Sequence, residues 1–105
     1  MWATVHADRQ NVIYDAAADP EVDDLADCLN KMGAKIEGAG TRRIIIEGVA
    51  ELHGAEHTVI PDRIETGTFL VAGAICGKGI TLNRVVPEHV LSVTNALTQG
   101  GFTIE

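Results

Sequence analysis

The chain has 105 residues, enough for one domain or for a piece of something larger. Apolar residues make up 46% and charged residues 22%, the balance of a folded chain rather than a disordered one. A formal net charge of −7 leaves no basic face for nucleic acid, and the longest apolar run, Phe69 to Cys76, falls far short of the roughly 20 residues of a membrane span.

Aromatic residues are only 4%, so the core must be built from Ile, Val, Leu and Ala. Two cysteines make no disulfide framework, and no leader-like segment precedes them, so a reducing cytoplasm is the expected setting.

In chain order, Asn11–Tyr14 reads as a short strand. Asp19 is placed as an N-cap with Pro20 at the first helical position, and Val22, Leu25, Leu29 and Met32 recur with the spacing of an amphipathic helix. Gly33 closes it as a left-handed residue. Strands follow over 34–37 and 41–49, joined by Gly38-Ala39-Gly40, and the triple isoleucine Ile44–Ile46 predicts cover on both faces. A further strand is expected over 56–60. Beyond Pro61 the reading gives a helix over 66–75, apolar all round and therefore expected to be buried, then a turn at Gly77-Lys78-Gly79, a strand over 80–83, and a helix from Pro87.

The chain also matches itself. Shifted by 68 positions, Val12 falls on Ile80, Val22 on Val90, Leu25 on Val93, Leu29 on Leu97, Gly33 on Gly101 and Ile36 on Ile104. The unit so defined is βαβαββ. One copy has lost its start and the other its end, so the chain is expected to be a segment of a longer repeat protein.

Several motifs invite chemistry. His53-Gly-Ala-Glu56-His57 has the H-x-x-E-H spacing of inverted zinc peptidases. On an extended segment, however, residues four apart lie roughly 13 Å from one another. Two bonds of about 2 Å cannot reach one ion across that span. The expected role is surface turn histidines, with no metal. Gly73 to Gly79 resembles a phosphate loop only superficially, with three residues between the glycines and Gly after the lysine. Cys28 and Cys76 are read as structural. Asp62, Arg63 and Glu65 form a charged cluster ahead of an apolar helix, either capping it or lining a cleft.

Three stretches are more specific: DPEVDDLADCLNKMGAKIEGAGT, IIIEGVAELHGAEHTVIPDRIETGTFLVAGAI and VVPEH. They resemble the UDP-N-acetylglucosamine enolpyruvyl transferases, 1-carboxyvinyltransferases of bacterial peptidoglycan synthesis. LNKMGAKI and IPDRIETGTF are specific to that branch of the wider enolpyruvyl transferase group. The resemblance implies a fold class, α/β, as an inside-out α/β barrel of βαβαββ repeats, about one and a half of them here. Residues 1–60 would end the first domain, 61–65 would be the interdomain crossover, and 66–105 would start the second domain.

The resemblance further implies transfer of the enolpyruvyl group of phosphoenolpyruvate to the 3-hydroxyl of UDP-N-acetylglucosamine, releasing phosphate, without any cofactor. The acid, the lysine–asparagine pair, the phosphate-binding arginines and the candidate base of that group match nothing in this segment. No catalytic residue is therefore assigned, and the isolated chain is expected to be inactive. What carries over is a set of cleft-side, interdomain candidates: Asp19, Glu21, Asp62, Arg63 and Glu65. The chain departs from the group's pattern at Ala18-Asp19, where Arg-Glu is usual, at Asp15, usually asparagine, and at Arg9, usually a turn glycine. The competing reading is a stand-alone, non-catalytic module that folds by self-association. Self-association is expected either way, with strand edges at Ile104–Glu105 and Ile44–Ile46 most exposed.

Overall fold

The computed structural model describes all 105 residues, and the chain divides into two compact units, 1–60 and 61–105, each taken by itself. The first unit opens with a single helical turn, α1 (Trp2–Val5), which the sequence reading missed. Then come β1 (Asn11–Tyr14), α2 (Pro20–Lys31), β2 (Lys35–Glu37) and β3 (Arg43–Glu47). The strands form one antiparallel sheet in the order β1-β3-β2, with Ile13 opposite Ile44 and Ile36 opposite Ile46.

Strand periodicity sends Ile44 and Ile46 to one face, where they are buried with Ile36, with Ala26 and Leu29 of α2, and with Val5 of α1. On the opposite face Tyr14 is exposed, Lys35 Nζ pairs with Glu47 Oε1 at 3.0 Å, and the Arg43 guanidinium lies 6.0 Å from the Tyr14 ring centroid. Ile45 is only half-buried. The expectation of cover on both faces is thus corrected: the sheet alternates, and one face is closed.

α2 follows its expected stripe, with Leu29 buried and Val22, Leu25 and Met32 packed against the core. Asp19 is its N-cap with extended backbone, but its side chain makes no capping hydrogen bond. Glu21 and Asp23 supply the first-turn negative charge that a helix N-terminus favours. Gly33 takes φ +101°; its N–H donates to Asn30 O and the Ala34 N–H to Leu29 O, both at 3.0 Å. This paired closure needs a left-handed residue, which glycine supplies without steric cost.

β3 is shorter than expected, for two local reasons. Thr41 is used up by the preceding turn, its hydroxyl bonding to Gly38 O at 2.7 Å. At the other end Gly48 runs against the Ala7 carbonyl, where an added Cβ would sit 1.6 Å from the oxygen. The expected strand over 56–60 is absent. That segment is tied to α2 instead, through His57 beside Asp24, and the His53 N–H ahead of it donates to the O of Met32, the C-cap of α2, at 2.9 Å.

The second unit holds α3 (Arg63–Cys76), a 3-10 turn (Pro87–Val90) and α4 (Leu91–Gln99). α3 starts three residues earlier than Thr66. α4 ends as α2 does: Gly101 takes φ +92°, its N–H donates to Thr98 O at 3.0 Å, and the Phe102 N–H donates to Leu97 O at 3.1 Å. Small residues admit close neighbours, with Val93 against Gly67 and Ile80 over Gly73. The strands expected over 80–83 and at Ile104–Glu105 do not form. The unit contains no strand, and a lone extended segment has no ladder to join. Nor is α3 buried. Only Thr66 and Gly67 are enclosed, while Ile64, Phe69 and Ile75 are exposed. No helix is long and apolar enough to cross a membrane.

Candidate functional site

The sequence-derived candidates fall on the first turns of two helices, one in each unit. In the first unit, Asp19 is the half-buried N-cap of α2 and Glu21 is exposed in its first turn. Pro20 between them fixes φ and removes an N–H that would have no partner there. The two carboxylates are therefore held at the positive end of the helix, where negative charge is favoured.

In the second unit, Asp62 is a working cap. Its Oδ1 accepts from the Ile64 N–H at 2.8 Å and from the Glu65 N–H at 3.3 Å. The Thr66 hydroxyl donates to Asp62 O at 2.8 Å, tightening the same turn. Arg63 is half-buried and Glu65 exposed, both already helical. The structure thus brings Asp62, Arg63 and Glu65 together on one turn. The capping alternative from the sequence holds for Asp62.

α3, the 3-10 turn and α4 also line an open groove of about 430 Å³, with Arg63, Ile64, Gly67 and Val71 on one side and His89 of the 3-10 turn and Val93 of α4 on the other. It is largely apolar, and the buried His89 Nδ1 has no hydrogen-bond partner. Sequence reasoning missed His89, and a single histidine in a 3-10 turn offers no signal to find it.

The histidine motif is resolved by geometry. His53 Nδ1 lies 3.0 Å from the neighbouring Gly54 carbonyl, and its ring rests on Gly33. His57 is not the surface residue expected: its side chain is 8% exposed, with Nε2 3.0 Å from Asp24 Oδ1. Nδ1 lies 3.2 Å from Lys31 Nζ and 3.7 Å from Asp27 Oδ2. The two rings are thus committed to different partners. Lys31 bonds Asp27 at 2.6 Å, and that hydrogen bond holds the exposed Asp27 carboxyl below its ordinary pKa, aided by the positive charge of Lys31. Asp24, Asp27 and Lys31 share one helix face at i, i+3 and i+7. That charged face is the signal that would have paired them with His57. Cys28 is half-buried and Cys76 exposed, both free thiols.

Comparison with known proteins completes the picture. Residues 1–105 match the family model described as EPSP synthase (3-phosphoshikimate 1-carboxyvinyltransferase). An Akkermansia muciniphila protein named UDP-N-acetylglucosamine 1-carboxyvinyltransferase is 58% identical over 105 residues, 100% of this chain and 25% of its own length. A Rhodopseudomonas palustris protein of the same name is 55% identical over 104 residues, 99% of this chain and 24% of its own. A Bacillus subtilis protein named UDP-N-acetylglucosamine 1-carboxyvinyltransferase 2 is 51% identical over 105 residues, 100% of this chain and 24% of its own. The chain spans about a quarter of the length of the curated relatives it matches. With every residue inside the family match, the chain belongs to the EPSP synthase family of carboxyvinyl transferases.

Proposed function

We propose that the chain is a segment of a UDP-N-acetylglucosamine 1-carboxyvinyltransferase, one that moves the enolpyruvyl group of phosphoenolpyruvate to the sugar 3-hydroxyl and releases phosphate. The carrying observation is identity of 51–58% across the whole chain to proteins of that name. On this reading residues 1–60 end one domain of an inside-out barrel, 61–65 cross over, and 66–105 begin the other. The setting is the cytoplasm, and no cofactor takes part.

The charge of the candidate residues limits their role. Four of the five, Asp19, Glu21, Asp62 and Glu65, are carboxylates. Both substrates are anions, and like charges in a partly dry cleft repel. Asp62 is committed to capping α3, and the other three are suited to orient cationic groups rather than touch phosphate. Arg63 alone has the planar fork that matches a phosphate or carboxylate. Beyond Arg63, transition-state charge must be met by residues outside this segment, and such electrostatic stabilisation is usually the largest catalytic term.

The test uses a hybrid in which this chain replaces the matching quarter of the Bacillus subtilis relative. Arg63→Glu in that hybrid should cut phosphate release at least about tenfold, since a charge-assisted contact of roughly 1.5–3 kcal/mol is lost. An unchanged rate would remove Arg63 and its neighbours from the working cleft.

A further inference from the structure

The His57 ring is pinned on both sides, and its partners fix its proton. An ammonium can only donate, so Lys31 Nζ, 3.2 Å from Nδ1, requires that nitrogen to be an acceptor. The remaining ring proton then sits on Nε2, which donates to Asp24 Oδ1 at 3.0 Å. Geometry thus selects the neutral Nε2–H tautomer. Nδ1 has a second neighbour, however: Asp27 Oδ2 lies 3.7 Å away and can only accept. From α2 the charged groups facing the ring are Asp24, Asp27 and Lys31. On its own segment, Glu56 adjoins it in sequence, and the His53 Nδ1 lies against the Gly54 carbonyl.

We propose that this cluster is a proton-tolerant clamp, which keeps the irregular segment 48–60 fastened to α2 whether His57 is neutral or charged. In the neutral form Nδ1 takes a hydrogen bond from Lys31. On protonation Nδ1–H becomes a donor, its bond from Lys31 must break, and Asp27 Oδ2 accepts the new hydrogen bond after a shift of less than 1 Å to normal bonding distance. Nε2–H to Asp24 persists in both forms, as a hydrogen bond and then as an ion pair. The clamp matters because segment 48–60 has no strand pairing, and beyond His53 no backbone–backbone hydrogen bond ties it down; earlier only Val49 N–H to Val5 O and His53 N–H to Met32 O do so. A buried histidine with only one kind of partner would release such a segment on one side of its titration. Here both kinds are provided.

The full 105-residue chain, labelled with nitrogen-15, carries the test. In the unmodified chain the neutral His57 ring should be the Nε2–H tautomer, with amides of residues 50–58 equally ordered by relaxation whether the ring carries one proton or two. Lys31→Met should loosen those amides in the singly protonated form only, and Asp27→Ala, which leaves no acceptor, in the doubly protonated form only. Both side chains are about half exposed, so neither change threatens folding. His57→Ala should loosen the segment throughout the pH range. An Nδ1–H tautomer in the neutral ring would overturn the proposal, as would a segment whose order is indifferent to both Lys31→Met and Asp27→Ala.

Discussion

Asn30 stands in for a missing strand. β2 lies at the edge of the sheet, and Ile36 turns its backbone polar groups away from β3. The Asn30 side chain meets both, its Oδ1 accepting from the Ile36 N–H at 2.8 Å and its Nδ2 donating to Ile36 O at 2.9 Å. An edge closed this way cannot recruit another chain. Asn30→Ala should cost about 1–3 kcal/mol, since two backbone groups lose their partners. Urea denaturation measures it; a loss below about 0.5 kcal/mol would show that water replaces the amide. Asp27 gives a pH signature at the same scale. Its carboxyl is held below the ordinary value by the Lys31 hydrogen bond, so the stabilisation is present above the ordinary carboxylate range and is lost as pH falls through the lowered value. Lys31→Met should move the Asp27 titration upward when followed by carbon-13 shifts, and no movement would contradict the assignment.

Among the elements, α3 carries the most tension between sequence and surroundings. Its start is well made: Asp62→Ala should lower stability by about 1 kcal/mol, with the loss appearing as fraying of the first turn in amide exchange. Protection unchanged in that turn would argue that another group caps it. Its body is apolar yet exposed, with Ile75 at 71%. α2, by contrast, was legible almost residue for residue, because its stripe, proline start and glycine end all depend on neighbours within one or two turns. The apolar composition of α3 was equally legible, but what covers it is not local information. The same holds for the strands expected over 56–60 and 80–83: β-rich composition is visible in a sequence, whereas a ladder partner is not. The candidate charges were found because they crowd two helix starts, while the His57 partners were missed because they lie 26 to 33 residues away.

At the scale of the whole chain, the second unit leaves Ile64, Phe69, Ile75, Ile80 and Leu91 exposed, and exposed apolar surface favours association. The open strand edge is β1, since Asn30 covers β2, Ile44–Ile46 is the central strand, and no strand forms at Ile104–Glu105. The isolated chain should therefore associate at micromolar concentration. Light scattering during size exclusion checks this: a mass above 11.2 kDa is expected, and Ile75→Lys should shift it toward the monomer while changing stability by no more than about 0.5 kcal/mol. A monomer at every concentration would mean that the two units satisfy their own surfaces.

These residues are proposed to work as part of a carboxyvinyl transferase and not alone. Phosphate release from phosphoenolpyruvate with UDP-N-acetylglucosamine should be measured for the isolated chain and for the Bacillus subtilis hybrid side by side. The isolated chain should match a no-protein control, and the hybrid should turn over within about tenfold of the unmodified relative, a difference of no more than roughly 1.4 kcal/mol in the barrier. A folded hybrid with no activity, or an isolated chain that releases phosphate, would contradict the account.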